Sequence, residues 1–505
     1  MTALSDLLKY GKPAGAQQPW PRVTVDETAW TLAAAQLAAG RMSLLGLWAE
    51  PEQVHAALFD DALGEVAVIS IDVIAGRFPS IGRLHAPAIR LERMINDLWG
   101  LVADGAVDTR PWLDHGKWDV HTPLGQETRA ATPKPYAFLA AEGESLHQIP
   151  VGPVHAGTIE PGHFRFSCNG ETVVRLEERL GYAHKGIDGL MAGAELGHAA
   201  KLAGRISGDS TVAYALAFAR AAEAALVIDV PPRAIWLRAL MAELERLANH
   251  FGDIGAICND AAFALMHAHC GVLRERVLRA SEAAFGHRLM RDRIMPGGVG
   301  ADLSAEGIAV LRALVVEARE RFPRLVELYD NTTSLQDRTV ATGVLNPELA
   351  ARFGAGGYVG RASGRIFDAR RKPGYAPYGE LNFAVPVRSE GDVNARVWIR
   401  IDEVEQSLRL IEQILDRLPA GLIAGGLPGA VRHAPCEGLA LVEGFRGDIL
   451  VWLRLDRTGR VLRCHLRDPA WFQWPLLEAV IEGNIVADFP ICNKSFNCSY
   501  SGHDL

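Results

Sequence analysis

The chain has 505 residues, enough for about three average domains, and its 49% apolar and 22% charged residues are ordinary for a globular protein. The net charge of -8 excludes the basic surface that nucleic-acid binding needs. No run of about 18 uncharged apolar residues is present to cross a membrane, and seven cysteines are too few for a disulfide framework. The first residues, MTALSDLLKYGKPAG, contain no long apolar stretch, so we expect no secretory signal and a soluble cytoplasmic molecule.

Residues 1–120 predict a small α+β domain. Glu65–Gly76, EVAVISIDVIAG, is typical of a strand, and Ala86–Leu101 has apolar residues at helical spacing. Residues 121–150 are predicted to be a linker, because Thr122–Ser145 is polar and broken by prolines.

Residues 151–505 predict a second, mainly helical domain. Asn169-Gly170 between two alternating segments indicates a β-hairpin. VPPRAIWLRALMAELERLANHF and DEVEQSLRLIEQILDRL have the apolar spacing of packed bundle helices, and a β-rich segment begins at Gly447. The predicted fold class is therefore α+β: a small N-terminal α+β domain, then a helical bundle with peripheral β-hairpins.

Several common sites are excluded or disfavoured by spacing. The glycine-rich stretches PGGVGAD, FGAGGYVGRASG and AGGLPG do not fit a dinucleotide-binding loop, and no phosphate loop is present. His267 and Cys270 in MHAHC are placed to share a helix face, but no second ligand pair accompanies them. The favoured interpretation of that segment, and of Cys464-His465 on a predicted strand, is structural.

Four segments carry a family resemblance: VGPVHAGTIEPGHFRF, YAHKGIDGLM, VPPRAIWLRALMAELERLANH and VPVRSEGDVNARVWIRIDEVEQSLRLIEQ. They resemble the large subunit of membrane-bound, energy-converting nickel–iron hydrogenases, and equally the 49-kDa (D-type) subunit of respiratory complex I. The N-terminal LERMINDLWGLVADGAVDTRPWL is similar to the 30-kDa (C-type) subunit, with Asp108 and Arg110 at its typical Asp-x-Arg pair. A fusion of the two occurs in hydrogenase-4 and formate hydrogenlyase-type large subunits, so the resemblance implies a nickel–iron-hydrogenase large-subunit-like fold over residues 151–505.

The resemblance also locates the metal ligands, which in the hydrogenases are four cysteines in two Cys-x-x-Cys pairs. Counting back from Val230-Pro231, the first pair falls on Ser207 and Ser210, with Arg205, Gly208 and Asp209 around it. Aligned on Ser495-Phe496, the second falls on Ser499 and Gly502, and Cys498 is out of register by one residue. A serine hydroxyl is a hard donor that stays protonated, unlike a thiolate. We therefore expect that the nickel–iron centre is lost and that this chain binds no metal.

In complex I the matching cavity, also without nickel, holds a quinone near an iron–sulfur cluster of a neighbouring subunit. A His in the loop before the first hairpin and a Tyr contact that quinone; here the Tyr position falls near Gly208, and the loop HAGTIEPGHF is two residues longer. His155, Glu160 and His163 are the candidate catalytic residues of this loop, with Glu160 matching a proton-relaying acid of the hydrogenases. The candidate cavity lining is Ser207, Asp209, Ser210, Ser499 and His503. The alternative for each residue is that it satisfies its neighbours or trapped water.

The resemblance implies partners and a place in the cell. We expect an iron–sulfur small subunit similar to the B-type small subunit of complex I, antiporter-like and other membrane subunits, and a peripheral position on the cytoplasmic side of the inner membrane. The expected activity is electron transfer from the iron–sulfur partner to an acceptor, with quinone as the candidate, coupled to ion translocation. Two alternatives stay open: a working hydrogenase with unusual ligands, and a structural coupling subunit without redox chemistry. The charges of Arg361–Arg371 are expected to form structural ion pairs or subunit contacts.

Overall fold

The computed structural model describes residues 3–15, 17–126, 129–130, 135–143, 145–426 and 435–505. Part of the predicted linker therefore lies outside the described residues. Within these ranges, α-helices fill the middle of the chain and β-sheets lie towards both ends. No helix in the described ranges combines the length and apolar character needed to cross a membrane.

In chain order, the α-helices are α1 (Ala3–Tyr10), α2 (Glu27–Ala38), α3 (Ile89–Trp99), α4 (Ile187–Met191), α5 (Leu196–Ala203), α6 (Thr211–Leu226), α7 (Pro232–Asp260), α8 (Ala264–Phe285), α9 (Ala305–Asn331), α10 (Thr333–Thr339), α11 (Pro347–Arg352), α12 (Gly357–Ala362), α13 (Val393–Arg417), α14 (Ala470–Ile481), α15 (Phe489–Phe496) and α16 (Tyr500–Asp504).

In the same order, the strands are β1 (Lys12–Pro13), β2 (Gln17–Gln18), β3 (Arg22–Thr24), β4 (Ser43–Glu50), β5 (Gln53–Asp60), β6 (Glu65–Asp72), β7 (Arg77–Pro79), β8 (Val102–Asp104), β9 (Val120–His121), β10 (Arg129–Ala130), β11 (Leu146–Val151), β12 (His163–Asn169), β13 (Thr172–Arg179), β14 (Ile294–Met295), β15 (Gly298–Val299), β16 (Cys436–Gly444), β17 (Gly447–Leu455) and β18 (Val461–Arg467).

The N-terminal part is built on a five-stranded sheet in the order β1-β3-β6-β5-β4. Strands β3 and β6 are parallel, and the other neighbours are antiparallel. Strand β6 lies within the predicted Glu65–Gly76, and α3 lies within the predicted Ala86–Leu101, which confirms both elements. Helix α3 ends at Gly100, whose φ of 73° is left-handed and closes the helix at low cost.

The helical middle is organised around α7, which packs against α8 on one side and α13 on the other. Because both sides are covered, α7 is buried nearly all round, and its leucines Leu240, Leu244 and Leu247 are fully inaccessible. Asp392 caps α13 by accepting a hydrogen bond from Ala395 N at 2.7 Å. Both helices confirm the predicted bundle.

The C-terminal sheet has the order β18-β17-β16-β2. Strands β17 and β18 confirm the predicted β-rich segment, while β16 was not predicted. Helix α6 lies directly on β16 because Gly438 has no side chain: a Cβ there would overlap the carbonyl oxygen of Ala221. The turn between β16 and β17 carries Phe445 and Arg446 towards the candidate site.

The predicted hairpin at Asn169-Gly170 is also confirmed. Strands β12 and β13 pair antiparallel on either side of it, and Gly170 has a left-handed φ of 59°. Strand β11 adds to β12 on the outer edge. The loop between β11 and β12 contains His155 and Glu160, and the third candidate catalytic residue, His163, is the first residue of β12.

The two ends of the chain pack against each other. Strand β2 pairs in parallel with β16, and Arg22 Nε donates to Glu437 Oε2 at 2.8 Å across the junction. The rings of Trp48 and His465 stack there with centroids 5.2 Å apart. The mixed α+β class is confirmed, and the domain boundaries at 120 and 150 stay predictions.

Candidate functional site

Two segments that are far apart in sequence meet in the interior. Residues 204–210 connect α5 to α6, and residues 497–505 follow α15. Ser499 Oγ donates a hydrogen bond to Ser207 Oγ at 3.2 Å, across 292 positions of the chain. Both serines are buried. The structure thus brings together the two segments on which the sequence resemblance placed the cysteine pairs.

A chain of hydrogen bonds runs through this site. The backbone N–H of Gly502 donates to Ser499 Oγ at 2.9 Å, and Ser499 is in turn the donor to Ser207. Ser207 Oγ donates to Asp209 Oδ1 at 2.7 Å, and Ser210 Oγ approaches the same oxygen at 3.4 Å. The polar groups of the site therefore satisfy one another.

Arg446, which lies in the β16–β17 turn, is the last member of this chain of hydrogen bonds. Its Nη1 and Nη2 contact the two carboxylate oxygens of Asp209 at 2.8 and 2.6 Å, a bidentate pair, and its Nε donates to Asn497 O at 2.5 Å. Burial alone raises the pKa of Asp209, but Arg446 and the two serine hydroxyls outweigh it and lower that pKa to about 2. The carboxylate therefore stays ionised, paired with a guanidinium that also reaches Ser210 Oγ at 3.2 Å.

Gly502, at the fourth ligand position, has no room for a side chain. A Cβ at this position would lie within contact distance of Asp468 Oδ2 and 2.8 Å from Ser499 Oγ. Asp468 is itself fixed by Tyr214, whose hydroxyl donates to Oδ2 at 2.5 Å. Burial raises the pKa of Asp468 although Arg446 and Tyr214 oppose it. A cysteine at 502 would therefore require the displacement of a buried carboxyl group.

These residues do not fit a nickel–iron centre. The four positions at which the resemblance places cysteines hold three hydroxyl groups and one glycine, and hard neutral oxygens are poor ligands for nickel. The nearest cysteine of the segment, Cys498, has its Sγ 3.9 Å from Gln473 Oε1, and burial raises the pKa of its thiol. Any chemistry of this site therefore rests on the chain's own oxygen and nitrogen groups.

The loop between β11 and β12 contacts the C-terminal segment. Glu160 is exposed, and its Oε2 accepts a hydrogen bond from Ser501 N at 2.9 Å. His155 Nε2 lies 3.2 Å from the hydroxyl of Tyr500, and burial lowers the pKa of His155 with help from Lys494. Two of the three predicted loop residues thus contact the segment that holds Ser499.

His163 lies elsewhere. It lines a cavity of about 710 Å³ between β12 and the end of the N-terminal part, together with Arg179, Tyr182 and Phe138. Its Nδ1 is 3.4 Å from Gly152 O, and burial lowers its pKa. This places His163 in a different environment from Glu160 and His155.

His503 is fully buried between two tryptophans. Its ring stacks on Trp471 with centroids 4.1 Å apart, Trp112 Nε1 donates to its Nε2 at 3.3 Å, and its Nδ1 contacts Asp504 Oδ1 at 2.8 Å. These contacts give His503 a packing environment in the core next to the serines.

Three residues of the site were not singled out by the sequence. Arg446, Asp468 and Tyr500 come from a hairpin turn, a strand end and the C-terminal helix, and none has a local pattern that indicates a site. Asp209 and the serines were found because they could be counted from a recognised motif. Arg446 had no such reference, although an arginine between two glycines in GFRGD is the one signal available.

The other metal candidates are separated by the fold. On α8, His267 is exposed while Cys270 is fully buried, so the two side chains lie in different environments. Cys464 and His465 are both buried on β18. In the described parts of the chain, no group of three His, Cys, Asp or Glu side chains is arranged to hold a metal.

Comparisons with known proteins support the family resemblance that the sequence showed. A family profile described as "Respiratory-chain NADH dehydrogenase, 49 Kd subunit" matches residues 260–428 and 427–504. Formate hydrogenlyase subunit 5 of Escherichia coli (strain K12) is 30% identical over 449 residues, which cover 86% of this chain and 78% of that protein. Hydrogenase-4 component G of the same organism is 30% identical over 447 residues, 86% and 77% of the two chains.

The complex I relatives match a shorter part of the chain. A D-type subunit of NADH-quinone oxidoreductase from Roseiflexus sp. (strain RS-1) is 33% identical over 352 residues, 68% of this chain and 94% of that protein. The chain therefore belongs to the family of the 49-kDa subunit of respiratory-chain NADH dehydrogenase, and formate hydrogenlyase subunit 5 and hydrogenase-4 component G are among its relatives.

Proposed function

We propose that this chain receives electrons from an adjacent iron–sulfur subunit and passes them, without a nickel–iron centre, to an acceptor bound near Ser207 and Ser499. The observation that carries the proposal is the closed chain of hydrogen bonds from Gly502 through both serines to Asp209 and Arg446. This chain of hydrogen bonds places oxygen and nitrogen groups at the expected metal-ligand positions. Such groups bind a polar organic acceptor or water far better than a soft metal.

A quinone is the proposed acceptor. Tyr500 and His155 form a phenol–imidazole pair at the edge of the site, and both groups are suited to hydrogen-bond a quinone carbonyl. The tyrosine that contacts quinone in complex I would fall near Gly208, where this chain has none. We propose that Tyr500 supplies the phenol instead. Relatives named as D-type subunits of NADH-quinone oxidoreductase support this choice of acceptor.

Protons for the reduced acceptor are proposed to enter through Glu160. This carboxylate is exposed on one side and holds Ser501 N on the other, so it joins solvent to the segment that contains Tyr500. Proton transfer by a positioned carboxylate typically accelerates a reaction by about 10²–10⁴-fold. Reduction of a quinone takes up two protons, and Glu160 with His155 gives them a route from the surface.

The proposed assembly is a complex-I-like or hydrogenase-4-like membrane complex. Its relatives are named as subunits of such oxidoreductases, which implies partner subunits for this chain. We propose an iron–sulfur small subunit as the electron donor, antiporter-like subunits that couple electron flow to ion translocation, and a position on the cytoplasmic side of the inner membrane.

The test uses the intact complex purified from membranes, with reduced methyl viologen as electron source and a short-chain ubiquinone as acceptor. Glu160→Gln and Tyr500→Phe are each expected to lower the rate of quinone reduction by about a hundredfold. Thr158→Ala, an exposed change in the same loop, is the matched control and keeps the wild-type rate. Rates for Glu160→Gln and Tyr500→Phe equal to that of Thr158→Ala would contradict the acceptor site.

A second candidate function is supported by the same contacts. Because Arg446 and Asp209 fill the ligand site with a bidentate ion pair, the chain also fits a structural subunit that couples its neighbours without redox chemistry. In that case the assembled complex reduces no quinone even in its wild-type form. Wild-type quinone reduction that depends on this subunit would exclude the structural role.

A further inference from the structure

Eight charged or titratable side chains form a closed network in the core beside the site. None is more than 3% exposed. They come from α7, α12, the segment before Gly374, α13 and the end of β16. The members are Glu243, Arg246, His250, Arg361, Asp368, Arg370, Glu403 and Glu443. Arg361, Asp368 and Arg370 belong to the segment for which the sequence predicted structural ion pairs, and these pairs are confirmed.

Arg361 is at the centre of this network. Its guanidinium contacts Glu403 at 2.6 Å, Glu443 at 2.9 Å and Asp368 at 3.6 Å. Arg370 bridges Asp368 at 2.6 Å and Glu243 at 2.9 Å. A charged group in the interior is tolerated only when it is paired in this way.

The remaining contacts complete the network. Arg246 lies 3.4 Å from Glu243 and 3.9 Å from Glu403, and His250 Nε2 lies 2.6 Å from Glu403 Oε2. The hydroxyls of Tyr378 and Ser407 both donate to Glu243, at 2.7 and 2.8 Å.

The charges of the network do not balance. Four carboxylates face three guanidiniums, so one carboxylate has no cation of its own. An uncompensated buried charge is far more costly than a proton taken up from solvent. A proton held in the network, either on a carboxyl group or on His250, removes this uncompensated charge.

His250 is the less suitable holder of this proton. Its Nδ1 is buried without a hydrogen-bond partner, so a second N–H would be left unsatisfied. Its ring also faces the cations Arg246 and Arg400, and burial lowers its pKa although Glu403 opposes this. A neutral imidazole that donates from Nε2 to Glu403 fits these surroundings better than an imidazolium.

Glu443 is the more suitable holder. Its one ion pair is with Arg361, whereas Asp368 contacts two groups that can carry positive charge and Glu403 contacts three. Burial and the neighbouring carboxylate of Asp368 raise the pKa of Glu443 to about 7 against the effect of Arg361. Burial raises the pKa of Asp368 too, but Arg370 outweighs it and the net direction is downward.

Most of the charged groups around the network form pairs of their own. Asp448, which faces Glu443, is paired with Arg467, Arg365 with Asp61, and Arg400 with Asp253. Arg220 lies over the ring of Tyr375 at 4.7 Å and faces Glu223 and Arg238. Glu223 is itself paired with Arg238, so Arg220 has no carboxylate of its own, and it lies against a ring rather than against a carboxylate of the network.

The turn between β16 and β17 connects the network to the candidate site. Glu443 is the penultimate residue of β16, and Arg446, three positions later, reaches Asp209 on the other side of the turn. Arg246 fixes the turn by donating to Gly444 O at 2.9 Å and Glu443 O at 2.8 Å. We propose that Glu443 is a buried carboxylic acid that stores one proton next to the acceptor site. The proposal goes beyond the proposed function and does not depend on the identity of the acceptor.

The first test compares the unfolding midpoints of the intact complex with Glu443→Gln and with Glu403→Gln. Gln reproduces the shape of a protonated Glu, so Glu443→Gln is expected to unfold within about 2 °C of the wild type at pH 6. Glu403→Gln removes a charge that pairs with Arg361 and His250, so we expect a loss of at least about 5 °C. Equal losses in the two variants would overturn the proposal.

The pH dependence provides a second readout. Above about pH 4.3 the unfolded chain ionises Glu443, while the folded chain keeps the proton up to about pH 7. The wild type therefore loses stability relative to Glu443→Gln as the pH rises through this window. The difference between the two midpoints is expected to shift in favour of the variant from pH 5 to pH 7, and a difference that does not change would contradict the stored proton.

Infrared spectroscopy tests the wild-type complex directly. The C=O stretch of a protonated carboxyl group is expected in the wild type at pH 6, and Glu443→Gln should lack this one component. Other buried acids, such as Glu245, contribute to the same region, but they are present in both samples and cancel in the difference spectrum. Identical spectra of wild type and Glu443→Gln would overturn the assignment.

Discussion

At the scale of single residues, the site depends on which side chain stands at each position where the resemblance places a cysteine. Serine hydroxyls both donate and accept, so Ser207 and Ser499 bond to each other and to Asp209 instead of converging on a metal. Arg446 then compensates the carboxylate, and Asp468 takes the space next to Gly502. These side chains support one another: Ser207, Ser499 and Asp209 each have a hydrogen-bond partner within the site.

Gly502→Cys tests this arrangement at one position. The new side chain would meet the carboxyl group of Asp468, so we expect a loss of stability of about 1–3 kcal/mol, as for other overpacked interiors. Gly208→Ala is the matched control, since a Cβ at Gly208 has open space around it. Thermal unfolding of the two variants measures the difference, and equal midpoints would show that position 502 has room for a ligand.

The sequence located part of this site and missed the rest for a physical reason. Ser207, Ser210 and Ser499 could be placed by counting from Val230-Pro231 and Ser495-Phe496. Arg446 acts through a tertiary contact that spans 237 positions, and a turn residue gives no periodic signal of such a contact. Asp468 was missed because its role is also a tertiary contact: its carboxyl group fills the space beside Gly502, which has no side chain.

At the scale of elements, the C-terminal segment is a docked structure that connects several loops. Asp504 accepts hydrogen bonds from Gly181 N at 2.9 Å and Ala183 N at 2.8 Å. Lys185 N donates to Leu505 O at 2.7 Å, and Lys185 Nζ donates to Ile206 O at 2.5 Å. The loop at 181–186 therefore connects the C-terminal segment to the segment that carries Ser207.

Asp504→Ala is expected to loosen this connection. Two backbone N–H groups lose a charged acceptor, which we expect to lower the local opening free energy by about 2 kcal/mol and to speed hydrogen exchange at Gly181 and Ala183 about 30-fold. Asp456→Ala is the matched control, because Asp456 accepts from Thr458 N and Arg460 N in a separate turn. If exchange at Gly181 and Ala183 is equal in the two variants, Asp504 does not anchor the loop.

The elements that could be predicted from the sequence share a strong local pattern. The helices α7 and α13 have sustained apolar spacing, and the β12–β13 hairpin has Asn-Gly at its turn. Strand β16 was missed because it is buried along its whole length and so lacks alternation. The pairing of β2 with β16 is a contact between distant segments, which no short window of sequence reports.

At the scale of the whole molecule, the two ends of the chain pack against each other. The N-terminal sheet packs on the C-terminal sheet through ion pairs such as Arg22 with Glu437, and the candidate site lies where the C-terminal segment meets the helices. The proposed redox role needs such a rigid setting, because a bound acceptor has to stay at a fixed distance from the iron–sulfur cluster proposed in the partner subunit.

The central claim, that this member of the family works without nickel, is tested most directly by metal analysis of the intact membrane complex. Iron is not diagnostic, because the proposed iron–sulfur partner contains it. We predict less than about 0.1 nickel per chain, since thiolate ligands are absent from all four positions. A hydrogenase of the family that has both Cys-x-x-Cys pairs serves as the positive control. About one nickel per chain in this complex would contradict the account.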